Sequence, residues 1–135
     1  MADQLHLEIV TPSRRVEEVE VDEVRLPGAL GEMGVLPGHI PLLTSLAAGP
    51  LTYFVGNTTT RYAVHGGFAE VLPDRVTILA TVVESPDDVD IAVARTDLEA
   101  AQERLKNATA EDLDELTTAV RFAETELEIA GGTVN

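Results

Sequence analysis

The sequence contains no cysteine, and aromatic residues make up only 4% of its 135 residues. Without cysteine, neither disulfide bonds nor thiolate metal sites can form, a composition that fits a reducing compartment. Basic residues are also scarce, because nine Lys and Arg stand against 24 Asp and Glu, for a formal net charge of -15. A nucleic-acid-binding protein needs a cationic surface to contact phosphates, so we expect no nucleic acid partner.

Long apolar segments are absent as well. No stretch approaches the ~20 apolar residues that span a bilayer. The first ten residues, MADQLHLEIV, lack the basic segment and apolar run of a secretory signal. The negative charge disfavours adsorption to anionic lipid. We therefore expect a soluble protein that associates with a membrane only through another protein.

The first 85 residues or so have the pattern of short β-strands. Leu5, Leu7 and Ile9 alternate with polar residues, which is the two-residue period of a half-buried strand. Further strands are predicted for LTYFV, TTTRYAV, FAEVL and RVTILATVV, with breaks at Gly56-Asn57, Gly66-Gly67 and Pro73-Asp74. Short strands at intervals of about ten residues predict an antiparallel sandwich or barrel.

The hydrophobic period changes at Ile91. From there, apolar residues recur at steps of three and four, the spacing of one stripe of an α-helix. The two stripes are Ile91, Ala94, Leu98, Ala101 and Leu105, and then Leu113, Leu116, Val120, Ala123, Leu127 and Ala130. Ser85 to Asp88 and Thr109 to Asp112 have the spacing of helix-start caps, and Gly131-Gly132 ends the second helix. The short connection predicts an antiparallel helical hairpin.

The predicted fold class is therefore α+β. An N-terminal antiparallel β-sandwich occupies residues 1–87, and a C-terminal antiparallel two-helix hairpin occupies residues 88–135. The helical stripes are thin and consist largely of alanine and leucine. Two such helices bury little apolar surface against each other, so we expect the hairpin to pack on the β-domain or on another chain.

No enzymatic chemistry is predicted. The histidines are His6, His39 and His65. None has the i, i+4 partner of a helical zinc site, and the chain contains no G-x-S-x-G elbow, P-loop or helix-opening G-x-G-x-x-G. The acids from Asp87 to Asp90 cluster, but the helix dipole favours carboxylates in the first turn of any helix. We expect no catalytic residue, no metal site and no cofactor.

Three segments together resemble the epsilon subunit of F-type ATP synthases, which corresponds to the delta subunit of mitochondria. They are LPGALGEMGVLPGHIPLLT at 26–44, GGFAEV at 66–71 and RVTILA at 75–80. The order of a strand-rich part and a helical hairpin is also similar. The resemblance implies a β-sandwich and a mobile C-terminal hairpin in a noncatalytic subunit of the rotor.

The resemblance also implies partners and a location. Subunits of this family bind the gamma subunit, contact the ring of c subunits and serve the catalytic alpha/beta head. They help to couple proton flow to ATP synthesis, and in many bacteria the hairpin restrains ATP hydrolysis. For this chain the resemblance implies a central-stalk position at the cytoplasmic face of the bacterial inner membrane, with membrane association only through the complex.

A rigid apolar loop in the first segment is the expected contact with the c-ring. Pro37-Gly38 suits a type II turn, because proline fixes the first φ and glycine tolerates the positive second φ. The resemblance implies that the ring-contacting residues are Glu32, Met33, Leu36 and His39. The alternative is that the apolar residues of the loop fill the sandwich and only Glu32 is exposed.

The nucleotide site of some bacterial members is incomplete in this sequence. Those members bind ATP between the two helices, with an aspartate and, three residues later, an arginine at the start of the first helix. Here Asp90 is retained and Val93 replaces the arginine. Further arginines of the second helix correspond to Phe122 and Glu126. With Arg121 as a lone substitute, a triphosphate would bind poorly, so we expect weak ATP binding or none.

The charge of the hairpin predicts how strongly it can inhibit ATP hydrolysis. In the family, basic residues of the extended hairpin meet an acidic segment of the catalytic beta subunit. Residues 88–135 carry four bases against twelve acids, a net of -8, so we predict weak inhibition. The sequence also disfavours two other functions. Loss of the arginines disfavours a stand-alone ATP-sensing module, and the missing nucleophile, base and metal constellation disfavours a small β-sandwich enzyme.

Overall fold

The computed structural model describes residues 3–131 and contains eight strands followed by two helices. The strands are β1 (Leu5–Val10), β2 (Arg15–Val21), β3 (Glu23–Gly28), β4 (Gly31–Val35), β5 (Leu42–Ser45), β6 (Gly49–Val55), β7 (Thr58–Leu72) and β8 (Arg75–Glu84), and the helices are α1 (Ile91–Leu105) and α2 (Leu113–Ala130). A 3-10 turn at Pro86–Asp88 joins the two parts. The strands precede the helical hairpin in the chain, which confirms the predicted α+β arrangement.

The strands form one sheet in the order β2-β1-β8-β7-β6-β3-β4, with β5 paired to β7 outside this path. Neighbouring strands are antiparallel except β1 and β8, which are parallel. The predicted β-sandwich domain is therefore confirmed, and its sheet is mixed because β1 and β8 are parallel. A parallel pair requires a long connection, and here all of β2 to β7 lies between the two strands.

Strand β7 runs through Gly66-Gly67, where the sequence predicts a break. Its first half pairs with β6 and its second half with β5, while β8 follows both halves. The two glycines have φ of 76° and 92°, which residues with a side chain rarely adopt. A Cβ on Gly67 would lie 1.8 Å from the carbonyl oxygen of Leu79. Glycine therefore lets β7 bend here and remain paired with β8.

The main hydrophobic core collects the inward-facing side chains of the strands. Leu5, Leu7 and Ile9 of β1 are fully buried in it, which confirms their predicted alternation. Tyr53 of β6 and Tyr62 of β7 contribute buried rings. Their hydroxyl groups both donate to Oε2 of Glu17 on β2, at 2.8 and 2.9 Å. These two hydrogen bonds connect the edge strand β2 to β6 and β7.

The second helix follows its predicted end signals, whereas the first helix does not. The predicted signal from Ser85 to Asp88 caps the 3-10 turn, where the N–H and the hydroxyl of Ser85 both donate to Oδ2 of Asp88 at 3.0 Å. Helix α1 is capped by Asp90, whose side chain accepts a hydrogen bond from the N–H of Val93 at 3.1 Å. The N–H of Asp112 donates to the hydroxyl of Thr109 at 3.3 Å just before α2. Gly131 ends α2 with a left-handed φ of 81°, whereas Gly132 lies outside the described residues.

The hairpin packs on the outer face of the sheet. The two helices share a small core of Ala94, Leu98, Ala123 and Leu127, separate from the core of the strands. Helix α2 lies against β6 and β7, and the Phe122 ring meets the His65 ring edge to face at 5.9 Å. The sequence left open whether the hairpin packs on the β-domain or on another chain, and in the structure it packs on the β-domain. Within residues 3–131, neither helix is long and apolar enough to cross a membrane.

Candidate interaction surfaces

The segment between β4 and β5 forms the predicted type II turn. The N–H of His39 donates to the carbonyl oxygen of Leu36 at 3.1 Å, and Gly38 has a φ of 90°, as a type II turn requires at its second central residue. The N–H of Gly38 also donates to the carbonyl oxygen of Pro73 at 2.7 Å. The turn is thereby attached to the β7–β8 connection, which holds its shape.

The apolar side chains of this segment are mostly exposed. Leu36, Ile40 and Leu43 are 57%, 75% and 69% exposed. Met33 is half-buried and packs against the main core. The alternative in which the loop fills the sandwich with its apolar residues is therefore wrong for the three exposed side chains. Leu36 and Ile40 lie in the connection between β4 and β5, and Leu43 lies on β5 beside Glu70 of β7.

The four predicted ring contacts are spread along this segment. Glu32 is exposed on β4, opposite Pro27 of β3, and it lines a cleft that also contains Arg121 of α2. Leu36 lies four residues later, roughly 13 Å along an extended chain. The ring of His39 is half-buried, and its Nδ1–H donates to the carbonyl oxygen of Ile40 at 2.7 Å. Their contact with a c-ring stays a prediction.

A second apolar surface lies on the outer face of β5, β7 and β8. Phe68 of β7 is directly opposite Leu79 of β8. Leu43 of β5 is opposite Glu70, which follows Phe68 by two residues and so shares its face. We call Leu43, Phe68 and Leu79 the outer apolar patch. The sequence signal for it is that Phe68 and Leu79 occupy outward positions, where a half-buried strand normally carries polar residues.

The residues predicted to correspond to the nucleotide site of some family members lie in different surroundings. Asp90 caps α1, Val93 is exposed, and Phe122 packs against His65. Glu126 lies beside Glu84 of β8. Burial, followed by the hydrogen bond and charge of Glu84, raises the pKa of Glu126 to about 8.

The groove between α1 and α2 is rich in carboxylates. Asp97, Glu115 and Glu126 line it together with Arg104. A bound triphosphate needs several cationic groups, and Arg121 lies in the other cleft, beside Glu32. These residues do not fit a nucleoside triphosphate.

Among the described residues, the remaining histidine, His6, lies between two carboxylates of the edge strand. Its Nε2 is 2.8 Å from Oε2 of Glu18, and its Nδ1 contacts Glu20. The hydrogen bonds to Glu20 and then to Glu18 raise the pKa of His6. Within residues 3–131, no cluster of three or more His, Asp or Glu side chains is arranged to hold a metal ion.

Sequence comparisons identify relatives over nearly the whole chain. A family model described as the β-sandwich domain of the ATP synthase delta/epsilon chain matches residues 4–86. The ATP synthase epsilon chain of Solibacter usitatus is 46% identical over 131 residues, which cover 96% of this chain and 98% of that protein. The epsilon chain of Halalkalibacterium halodurans is 43% identical, covering 94% of this chain and 97% of that protein.

Structure comparisons agree with the sequence comparisons. A chain in the cryo-EM structure of the Euglena gracilis mitochondrial ATP synthase, with OSCP, F1 and c-ring in rotational state 1, aligns with a TM-score of 0.80 at 25% identity, covering 96% of this chain and 82% of that chain. A chain of the central stalk and c-ring of the Tetrahymena thermophila mitochondrial ATP synthase has a TM-score of 0.55 at 15% identity, covering 86% and 96%, and supports the fold alone. The chain therefore belongs to the ATP synthase delta/epsilon chain family.

Proposed function

We propose that this chain is the noncatalytic epsilon subunit of the rotor of a proton-translocating F-type ATP synthase. The observation that carries the proposal is 46% identity to an ATP synthase epsilon chain over 96% of this chain, so that both the strands and the helices are matched. The subunit couples rotation of the c-ring to ATP synthesis in the catalytic head. It lies in the central stalk at the cytoplasmic face of the bacterial inner membrane and is attached to the membrane through the complex.

Residues 1–87 provide the docking surfaces, and the outer apolar patch is the surface for the gamma subunit. An outward sheet face normally carries polar side chains in water. Phe68 and Leu79 instead expose adjacent large apolar groups, with Leu43 on the neighbouring strand. Contiguous exposed apolar side chains of this kind are typical of protein–protein interfaces. Burying them against gamma would gain roughly 25 cal/mol for each Å² removed from water.

The turn at residues 36–39, with Glu32, provides the contact with the c-ring. Pro37 restricts the backbone, and the hydrogen bond from Gly38 to Pro73 attaches the turn to the sandwich. A loop held in this way presents Leu36 and Ile40 with a backbone that loses little conformational entropy on binding. This rigidity supports a contact between the subunit and the ring.

Residues 88–135 form the regulatory part, and their restraint on ATP hydrolysis is weak. The hairpin carries a net charge of -8, so that an acidic partner surface repels it. Its groove presents Asp97, Glu115 and Glu126 where a triphosphate would need cations. These observations also disfavour a stand-alone ATP-sensing module.

The proposal is tested by affinity purification of the tagged full chain from cells of its own organism under mild detergent conditions. Gamma, the c-ring and the alpha and beta subunits should co-purify in fixed proportion, and the purified chain alone should have no ATPase activity. Recovery of the chain without gamma, or turnover of ATP by the isolated chain, would overturn the assignment.

A further inference from the structure

Two carboxyl groups meet where the hairpin lies on the sheet. Glu84 is the last residue of β8, and Glu126 lies in α2. Their side chains are within hydrogen-bonding reach of each other, and both residues are half-buried. Oε1 of Glu84 is buried and has no hydrogen-bond partner among residues 3–131. The contact therefore joins two acids across the junction between hairpin and sheet.

The charges nearest this pair add to the repulsion. Asp97 of α1 acts on Glu126 as a third carboxylate. In the groove between the helices, Arg104 is accompanied by the acidic Glu115. On the other side of α2, Arg121 lies in the cleft with Glu32 and does not line the groove. The charges that act on Glu126 from Glu84 and Asp97 both favour its protonated form.

The strand next to β8 contributes a histidine to the same junction. His65 of β7 packs against Phe122, and its Nδ1 is buried without a hydrogen-bond partner in the described residues. His65 therefore contributes packing at this junction.

The chemistry of carboxyl pairs decides how this contact behaves. Two ionised carboxylates have acceptors but no donor, so they cannot hydrogen-bond each other and they repel. When one of them holds a proton, its O–H donates to the other, and one negative charge is removed from a partly desolvated place. Such a pair takes up and releases the proton as a unit.

The hairpin can undock from the sheet without unfolding. Its core of Ala94, Leu98, Ala123 and Leu127 lies within the two helices and is separate from the core of the strands. Pro86–Asp88 is the short connection to β8. Undocking therefore exposes the face of α2 around Phe122 without dismantling either core.

We propose that Glu84 and Glu126 form a proton-dependent latch, in which one shared proton holds the hairpin on the sheet and its loss releases the hairpin. In the docked state the pKa of Glu126 is raised from 4.5 to about 8, first by burial and then by Glu84 and Asp97. The docked state thus binds the proton more tightly than the released state does. Docking is most stable below pH 4.5, weakens as the pH rises towards 8 and changes little above it.

The latch is tested on the isolated full chain, independently of any assembly into an ATP synthase. Because the chain has no cysteine, the double variant Asn57→Cys, Glu111→Cys can be spin-labelled at these two positions alone. Both positions are exposed, one in the β6–β7 turn and the other between the two helices. Electron–electron distance measurements from pH 6 to 9 should show a short docked population that gives way to longer distances as the pH rises. One proton limits the change to about tenfold per pH unit.

Matched substitutions separate the latch from a general charge effect. Glu126→Gln keeps a donor for Glu84 but cannot ionise, so the labelled hairpin should stay docked over the whole range. Glu128→Gln removes a charge from an exposed position of the same helix and should behave like the parent. An unchanged parent distance from pH 6 to 9, or an equal pH response in Glu126→Gln, would overturn the proposal.

A direct titration gives a second readout that does not depend on the labels. The side-chain carboxyl carbon of Glu126, followed by NMR in the unsubstituted chain, should titrate well above the ordinary glutamate range of about 4.3. Titration at the ordinary value would contradict the latch even if the hairpin moved. Failure of either measurement leaves the proposed rotor function untouched, because neither involves gamma or the c-ring.

Discussion

Phe68 on β7 lies directly opposite Leu79 on β8, and both side chains are more than half exposed. A cross-strand aromatic and aliphatic pair of this kind ordinarily stabilises a sheet by up to about 1 kcal/mol, a gain that does not require so much exposed apolar surface. The pair is continuous with Leu43 across β5 and β7. The surface is therefore better explained by a partner than by the stability of the isolated chain.

A charge within the outer apolar patch should weaken binding to gamma. We expect Leu79→Asp to lower the affinity for gamma at least about tenfold, because a hot-spot residue at the centre of an interface costs about 2 kcal/mol or more when lost. Leu113→Asp is the matched control, since Leu79 is 51% exposed and Leu113, on the hairpin, is 49% exposed. Calorimetric titration of the gamma subunit with each variant measures the difference, and equal losses in both would contradict the assignment of the patch.

Replacement of Gly67 should destabilise the sandwich strongly. In Gly67→Ala the new Cβ meets the carbonyl oxygen of Leu79 at a φ of 92°, so β7 must move away from β8. We expect a loss of about 2 kcal/mol or more in the free energy of unfolding. Gly56→Ala has a φ of 59° but open space around its Cβ, and it should cost only about 1 kcal/mol. Urea denaturation followed by circular dichroism compares the two, and similar losses would show that the close approach to Leu79 is unimportant.

Loss of the Glu17 carboxylate should destabilise the chain through two tyrosines. Glu17→Ala leaves the hydroxyl groups of Tyr53 and Tyr62 without their shared acceptor. A buried polar group without a partner costs about 1–3 kcal/mol, so we expect the midpoint of urea denaturation to fall. Glu20→Ala, at an exposed position of the same strand, should change stability by less than about 1 kcal/mol. A Glu17→Ala effect no larger than that of Glu20→Ala would count against this role of Glu17.

The isolated chain should not bind ATP at micromolar concentration. The resemblance predicts that Val93, Phe122 and Glu126 replace the arginines of the ATP-binding members, and the groove is lined by carboxylates. Equilibrium dialysis with radiolabelled ATP at pH 7 should show no saturable binding below the millimolar range. A matched epsilon subunit with the complete arginine set serves as the positive control. Saturable micromolar binding by this chain would refute the incomplete-site interpretation.

Features governed by near neighbours in the chain could be predicted from the sequence. The Pro37-Gly38 turn, the Thr109 hydrogen bond at the start of α2 and the glycine end of α2 all formed as expected. The two helices begin and end at the first and last residues of their apolar stripes. Each of these features depends on backbone geometry or hydrophobic periodicity, and both are set by residues that are close together in the chain.

Features that join distant segments could not be predicted in the same way. The parallel pairing of β1 with β8 and the uninterrupted course of β7 through Gly66-Gly67 depend on which strands become neighbours. The side-by-side position of Phe68 and Leu79 has the same origin. Strand periodicity tells which residues share a face, but it does not tell which face another element covers.

Composition, periodicity and turn chemistry determined an acidic α+β chain without a catalytic constellation, because those properties are carried by single residues and their near neighbours. Only the tertiary structure decided that α2 covers His65 while Phe68 remains exposed, and that Glu84 meets Glu126. Docking of a hairpin on a sheet is a balance of burial, charge and hydrogen bonding between segments far apart in the chain. That balance exists only once the segments are folded against each other.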